Sequence, residues 1–479
     1  MKNRLLICLA LIVSLNVSAQ QSASDNKMEW WREARFGMFI HWGPYAVLGG
    51  DYHGHLTRVG GPAWIMNRCK IPVSEYQEMT RNFNPVKYNP EEWVRIAKDA
   101  GMKYMVITAK HHDGFAMFKS KASNYNIVDF TPYGKDVLDT LAKACRKYGM
   151  KLGFYYSQAQ DWNNPGGATS RRPMIQGWLN PDSTRIDAYT LAHQGSWDPI
   201  QQTRTMEQYM DSIAVPQIKE LLANYGDVAV IWWDTPDRMT EAFAEKINNI
   251  LKKYPQVITN DRLIRGSKQI TGDYKTPEQA IPTVNQLDGT DWETCMTLNN
   301  TWGYQSRGVV WKSTRTLLTS LIDIASKGGN FLLNVGPSPE GVIPEGNVIR
   351  LKAIGRWMQK NGSSIYGTER CNLKKPDWGY CTQKVKGNKT YVYLQVLDWP
   401  EDEVLLFRID HKASAARLLH NGQTLPFKNT QDGIYITVPR VAPDEIASVI
   451  ELEFDYVLPR IPIKPMNNKG YEIIDFSKG

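Results

Sequence analysis

The sequence predicts an α/β chain, a (β/α)8-like barrel with regular or irregular closure, followed by a C-terminal antiparallel β-sandwich. Three observations carry this. From about Phe36 to Gln359, short apolar runs alternate with amphipathic helical stretches. Most of these runs are continuously apolar, as expected for parallel strands covered on both faces. Beyond residue 366 the hydrophobic period drops to two, the mark of half-buried antiparallel strands.

The barrel strands are read at Phe36–His41, Lys103–Ala109, Lys151–Ser157, Val228–Asp234, Gln256–Asn260, Thr290–Glu293 and Phe331–Val335. Helices between them carry their own start and stop signals. Asn89 is placed to cap a helix with Pro90 at its first position, Glu92 closing the box and Gly101 ending it. Ser313 opens another, with Leu317, Leu318, Leu321, Ile322 and Ala325 on one face and Gly328 as its stop. Val137, Leu141 and Cys145 form a core stripe between Lys135 and Tyr148. A doubly wound sheet is the rival architecture, but no glycine-rich dinucleotide fingerprint follows the first strand. The long polar segment Gln158–Gln202 is expected to form part of the rim over the site. In the C-terminal part Ile434, Ile436 and Val438 alternate with Tyr435 and Thr437, and Ile450, Leu452 and Phe454 with Glu451 and Glu453.

At 479 residues the chain exceeds one ordinary core. The expected division is a signal peptide at 1–20, a catalytic barrel at 21–365 and a β-sandwich with its tail at 366–479. Lys2 and Arg4, the apolar stretch Leu5–Leu15 and Val17-Ser18-Ala19 match an export signal cleaved near Ala19. The apolar stretch is too short to span a bilayer, so an exported protein, periplasmic or secreted and without membrane insertion, is expected. A formal net charge of +8 without clustered Lys/Arg runs argues against nucleic acid as a partner. Five cysteines beyond the signal are scattered with no CxxC for zinc, though Cys371 and Cys381 are candidates to pair.

Barrel chemistry gathers at the C-terminal ends of strands. Reading those ends gives His41, then His111 and His112, then Tyr155 or Tyr156, then Asp234, Arg262 and Glu293. Two carboxylates, three histidines, an arginine and several aromatic rings converge on one rim. Asp234 ends the run Val228–Trp233, where a helix cap is the ordinary alternative. Paired with Glu293 it supplies the two carboxylates of glycoside hydrolysis, and neighbouring tryptophans would keep Glu293 protonated as the acid. Metal binding is disfavoured, since adjacent strand residues such as His111 and His112 point to opposite faces and there is no HExxH. Asp113 before Gly114 reads as a turn residue. No serine or cysteine nucleophile is supported, and no cofactor is called for.

RFGMFIHWGPYAV (35–47), KHHDGFAMF (110–118), GFYYSQAQDW (153–162), VIWWDTP (230–236), TWGY (301–304) and GGNFLLNVGPSPEG (328–341) occur in order. Together these resemble glycoside hydrolase family 29, the α-L-fucosidases, over roughly residues 28–365. The resemblance implies an exo-acting retaining enzyme that removes terminal α-L-fucose from glycans or glycoconjugates. Asp234 then matches the nucleophile, and His41, His111 and His112 match the histidines that hydrogen-bond fucose hydroxyls. Tyr155 matches a tyrosine near the nucleophile, Arg262 a sugar-site arginine, and Trp64 and Trp302 the aromatic walls. Many members carry glutamate immediately before the Trp64 position; Ala63 stands there in this chain, which leaves Glu293 as the expected acid/base. The competing readings are a non-catalytic glycan-binding protein on the same barrel and a hydrolase of a related sugar such as galactose.

Overall fold

The computed structural model describes residues 26–479 apart from 58–60, 170–195, 271, 372–374, 460–463, 467–469 and 473–479. The expected signal at 1–20 and the middle of the segment Gln158–Gln202 lie outside the described residues.

Seven strands make one parallel sheet: β1 Phe36–Ile40, β2 Tyr104–Lys110, β3 Lys151–Tyr156, β4 Val228–Trp233, β5 Ile258–Thr259, β6 Glu293–Thr297 and β7 Asn330–Val335. Their order is β5-β4-β3-β2-β1-β7-β6, every neighbouring pair parallel. The edges β5 and β6 are not laddered to each other. The segment 274–279 runs between them and closes the barrel through isolated parallel bridges, Asn260 with Tyr274, Lys275 with Trp292 and Glu278 with Cys295. Backbone bonds from Glu293 N–H to Lys275 O (2.8 Å), Cys295 N–H to Pro277 O (3.2 Å) and Gln279 N–H to Cys295 O (2.9 Å) fasten it. An eighth stave is therefore present but irregular, because Pro277 can donate no ladder bond.

Two-residue alternation sorts each strand between two cores. Phe39, Tyr104, Val106, Tyr155, Val230, Trp232, Cys295 and Leu332 pack inside the barrel. Met38, Ile40, Met105, Ile107, Phe154, Tyr156, Ile231, Trp233, Phe331 and Leu333 pack outward with the helices. Burial on both faces explains the continuously apolar runs. The caps form where expected: the Asn89 side chain accepts from Glu92 N–H ahead of helix Pro90–Asp99, though the Glu92 side chain does not close the expected box, and Ser313 accepts from Thr316 N–H ahead of helix Thr314–Ser326. Asp136 caps helix Val137–Tyr148, which ends on Gly149 in the left-handed conformation at φ 67°.

After helix Glu345–Asn361 the chain becomes antiparallel. A five-stranded sheet is built from 369–370, Gly379–Lys386, Lys389–Val396, Ser448–Phe454 and Ala415–Leu418. It faces a three-stranded sheet of Val404–Phe407, Gly433–Thr437 and Phe427–Thr430. Their shared core includes Ile434, Ile436, Ile450, Leu452 and Phe454, the residues of the period-two pattern. Tyr393, Ala447 and Val449 instead join the core of the barrel helices, which fixes the sandwich to the barrel. Cys371 and Cys381 are free buried thiols.

Candidate active site

β4 brings Trp232 inward and Trp233 outward, and the chain leaves the strand at Asp234. Its main chain is held by Gln158, whose side-chain oxygen accepts from Asp234 N–H at 3.2 Å. The next residue, Thr235, has φ 42°. A β-branched residue in the left-handed region is a strained position, and such strain concentrates at functional sites. Here the turn directs Thr235 N–H onto Asp234 Oδ1 at 2.8 Å.

Each Asp234 oxygen has further partners. Arg262 Nη1 donates to Oδ1 at 2.8 Å. Tyr155 donates its hydroxyl to Oδ2 at 2.9 Å, and His112 Nε2 lies 3.5 Å from the same oxygen. Burial by itself would raise the Asp234 carboxyl, but the hydrogen bond with His112 and the charge of Arg262 win and hold it well below the usual carboxylate range. It is therefore a carboxylate anchored in position, as a nucleophile must be. Arg262 is fixed in turn. Its Nε donates to Thr276 Oγ1 and its Nη2 to Thr276 O, both at 2.8 Å, while the guanidinium stacks 4.8 Å over the Trp232 ring.

Above Asp234 opens a cavity of about 320 Å³ including its mouth, lined by Phe39, His41, Trp64, His111, Tyr155, Trp232, Asp234, Arg262, Glu278, Cys295 and Trp302. Seven of the nine expected site residues meet here. Burial pushes His41 down to about 4 and His111 well below its ordinary value, so both present neutral rings. His111 stacks on Tyr155 with the planes 10° apart. Trp302 lies against His41 and Phe39 with ring centroids 5.0 and 6.1 Å away, giving the cavity an apolar side. Period two decides between the tyrosines: Tyr155 faces the cavity, whereas Tyr156 turns outward and donates to Gln217 Oε1 at 2.8 Å. His112 is fully buried one layer behind the wall. Its Nε2 reaches Asp234, and its ring lies 5.0 Å from that of Trp64, because the chain breaks from β2 after Lys110 and the two histidines, with ring centroids 4.2 Å apart, no longer alternate. No group of three or more His, Cys, Asp or Glu side chains among the described residues has metal-holding geometry.

Glu293 requires a correction. The expected strand Thr290–Glu293 is displaced: β6 runs Glu293–Thr297, so Glu293 opens the strand at the far end of the barrel from the rim. It is fully buried, accepting from Tyr104 OH at 2.5 Å and Trp232 Nε1 at 3.1 Å. Burial raises its carboxyl to about 7. Glu293 thus supports Trp232 from beneath the cavity floor without reaching the cavity. A charged residue reads as the end of a strand only if it is exposed, and here the barrel interior supplies its donors.

The second carboxylate at the rim is Glu278, carried by the irregular eighth stave. Its side chain is 44% exposed at the mouth, and its Oε2 accepts from Arg262 Nη1 at 3.1 Å. The same nitrogen touches Asp234 at 2.8 Å, so the two carboxylate oxygens lie less than about 6 Å apart. Glu278 sits in DYKTPEQ, which has neither an apolar run nor an alternating pattern, and no local signal marks it as a strand end.

Comparison with known proteins places the chain among relatives of one kind. A family model described as alpha-L-fucosidase matches residues 14–363. An alpha-L-fucosidase of Dictyostelium discoideum is 26% identical over 93% of this chain and 97% of its own length. The tissue alpha-L-fucosidase of Rattus norvegicus is 29% identical over 86% of each. Among solved structures, alpha-L-fucosidase isoenzyme 1 from Paenibacillus thiaminolyticus superposes with a TM-score of 0.76 at 34% identity, covering 90% of this chain and 99% of its own. A Bacteroides thetaiotaomicron fucosidase, solved as a trapped covalent intermediate with 2-fluoro-fucosyl fluoride, has a TM-score of 0.76 at 28% identity over 89% of this chain and 95% of its own. The chain belongs to the alpha-L-fucosidase family, glycoside hydrolase family 29.

Proposed function

We propose that the protein removes terminal α-L-fucose from glycans or glycoconjugates as an exo-acting retaining hydrolase, with Asp234 as nucleophile and Glu278 as acid/base. The observation that carries this is the bridging of both carboxylates by Arg262 Nη1. Retaining enzymes place their carboxyl groups about 5–5.5 Å apart, whereas inverting enzymes leave about 6.5–9.5 Å for a water. A separation under about 6 Å supports the covalent route.

In the first step an Asp234 oxygen attacks the anomeric carbon while Glu278 gives its proton to the departing glycosidic oxygen. The C1–O bond to the aglycone breaks and a fucosyl ester forms on Asp234. Glu278, now a carboxylate, takes a proton from water as that water attacks C1, which frees fucose and restores Asp234. Positive charge developing at the ring is met by the Asp234 carboxylate, and Arg262 contacts both Asp234 and Glu278. Glu278 lies at the mouth, on the side where an aglycone would leave. The apolar side made by Phe39 and Trp302 favours a 6-deoxy sugar with a methyl over galactose with its hydroxymethyl.

Residues 1–20 as an export signal, with cleavage near Ala19 and a periplasmic or secreted destination, complete the reading, as do a barrel at 21–365 and a sandwich at 366–479. No helix among the described residues is long and apolar enough to cross a membrane. The test is trapping with 2-fluoro-fucosyl fluoride followed by peptide mass mapping. The label is expected on the peptide containing Asp234, and NMR of the first product should show the α-anomer of fucose. Label on another residue, or a β-anomer formed first, would overturn the assignment.

A further inference from the structure

Asn334 lies near the end of β7, next to the cavity, and takes no part in the chemistry described above. It is buried, and both ends of its amide are committed. Its Nδ2 donates to Trp302 O at 2.8 Å, and a carbonyl oxygen can only accept, so the amide orientation is settled by its partner. Asn334 Oδ1 then faces His41 Nδ1 at 2.7 Å. An amide oxygen has no proton to give, so His41 must carry its hydrogen on Nδ1. In the neutral ring that leaves Nε2 with a bare lone pair. His41 lines the cavity, where an acceptor suits a sugar hydroxyl.

The same asparagine holds the backbone of Trp302, whose ring forms the apolar side of the cavity. The Trp302–Gly303 loop is seated closely on this strand end. A side chain at Gly336 would meet Gly303 C at 2.5 Å and Gly303 O at 2.7 Å, both backbone atoms that cannot give way. One amide thus joins the cavity's hydroxyl acceptor to its methyl wall.

Resting on the fucosidase reading, we propose that Asn334 is a positioning residue that locks His41 as a one-way acceptor for a fucose hydroxyl and ties that acceptor to Trp302. The pocket then rejects a ligand that offers His41 an acceptor in place of a hydroxyl. The other groups facing His41 are His111 and His112 after β2, Tyr155 on β3 and Asp234 after β4. Burial dominates over the attraction of Asp234 and keeps His41 neutral above about pH 4.

Two measurements test this. In a ¹⁵N-histidine NMR spectrum of the full chain at pH 7, the His41 signals, identified by their loss in His41→Gln, should show Nδ1 protonated and Nε2 bare. The opposite tautomer would overturn the proposal whether or not the protein turns over fucosides. In Asn334→Asp, the carboxylate still accepts from Nδ1 but cannot donate to Trp302 O, and its charge favours the imidazolium. The acidic limb of kcat/KM on an aryl fucoside should move up by about one pH unit. KM should rise roughly tenfold through the lost hydrogen bond. A merely structural role would scale the whole profile without moving its limb; an unmoved limb with unchanged KM refutes the assignment. Loss of activity in the wild-type protein would instead strike the fucosidase reading and leave the tautomer measurement standing.

Discussion

Glu278 and Glu293 are separated by replacing each with alanine, since the structure assigns opposite consequences. Glu278 is 44% exposed, and among the described residues its side chain is hydrogen-bonded to Arg262. Truncating it leaves no buried group without a partner, so stability should move by no more than about 0.5 kcal/mol. Its removal takes away the proton donor, and general acid catalysis is worth roughly 10²- to 10⁴-fold. That loss should appear on natural fucosyl glycans, whose leaving groups need a proton. Aryl fucosides with good leaving groups should be cleaved at close to the normal first-step rate, with azide restoring the second step.

Glu293→Ala should behave in the reverse way. It strips the acceptor from Tyr104 OH and Trp232 Nε1, both buried, at about 1–3 kcal/mol for each donor left unpaired. The cavity adds to that loss. A total of about 3–5 kcal/mol is expected, read as a large drop in the unfolding midpoint. Any lost activity should be shared by glycans and aryl fucosides alike, because a displaced Trp232 disturbs the floor rather than proton donation. The assay is kcat/KM for one natural and one activated substrate, alongside denaturant unfolding. The reasoning is refuted if Glu278→Ala keeps natural-glycan activity within tenfold of wild type, or if Glu293→Ala stays fully stable and loses glycan cleavage selectively.

Three further outcomes are expected. Tyr155→Phe removes the hydroxyl bonded to Asp234 Oδ2 and should lower kcat roughly tenfold or more with little change in Tm, while Tyr156→Phe, whose hydroxyl meets Gln217, should do the reverse. Replacing Arg262 with Gln removes the cation that depresses Asp234, so the acidic limb of kcat/KM should shift to higher pH; an unshifted limb would deny Arg262 that role. The Glu293 carboxyl is raised on folding from 4.5 to about 7, so the folded chain binds that proton more tightly than the unfolded one. Its contribution therefore weakens stability as pH rises from 4.5 to 7, by up to about 3 kcal/mol. Unfolding measured at several pH values should show that slope, and Glu293→Gln should flatten it.

Legibility in the sequence followed burial. The runs that became β1–β4 and β7 are apolar on both faces, so their positions and their rim residues His41, Tyr155 and Asp234 could be read directly. The end of β2 was equally visible, but not that His112 Nε2 meets Asp234, because the turn at Asp113-Gly114 is fixed by buried partners from elsewhere. Asp113 accepts from Tyr76 at 2.8 Å, and Gly114 stands where a side chain would meet Asp161 Oδ1 at 2.2 Å. Glu293 was misplaced at the rim for a related reason. Glu293 looks like a strand end because it is charged, yet Tyr104 and Trp232 make its burial tolerable. Glu278 looks like a loop residue because its stave is held by neighbours rather than by its own apolar pattern. Pairing partners distant in the chain carry both facts, and local periodicity does not report them.

The seam at which the barrel closes has a consequence for how such an enzyme can diversify. Asp234 and His41 follow strands laddered on both sides, Tyr155 belongs to another, and the loop bearing Trp302 is tied to β7 through Asn334. Glu278 alone rides on a segment joined by single bridges and a shared guanidinium. Substitutions in 277–290 that leave Thr276 and its hold on Arg262 intact can therefore re-aim the proposed proton donor and reshape the mouth while the Asp234 end of the cavity stays fixed. Selectivity for the leaving partner becomes separable from recognition of the sugar, and a library confined to that seam would change which glycans are trimmed without changing what is trimmed from them.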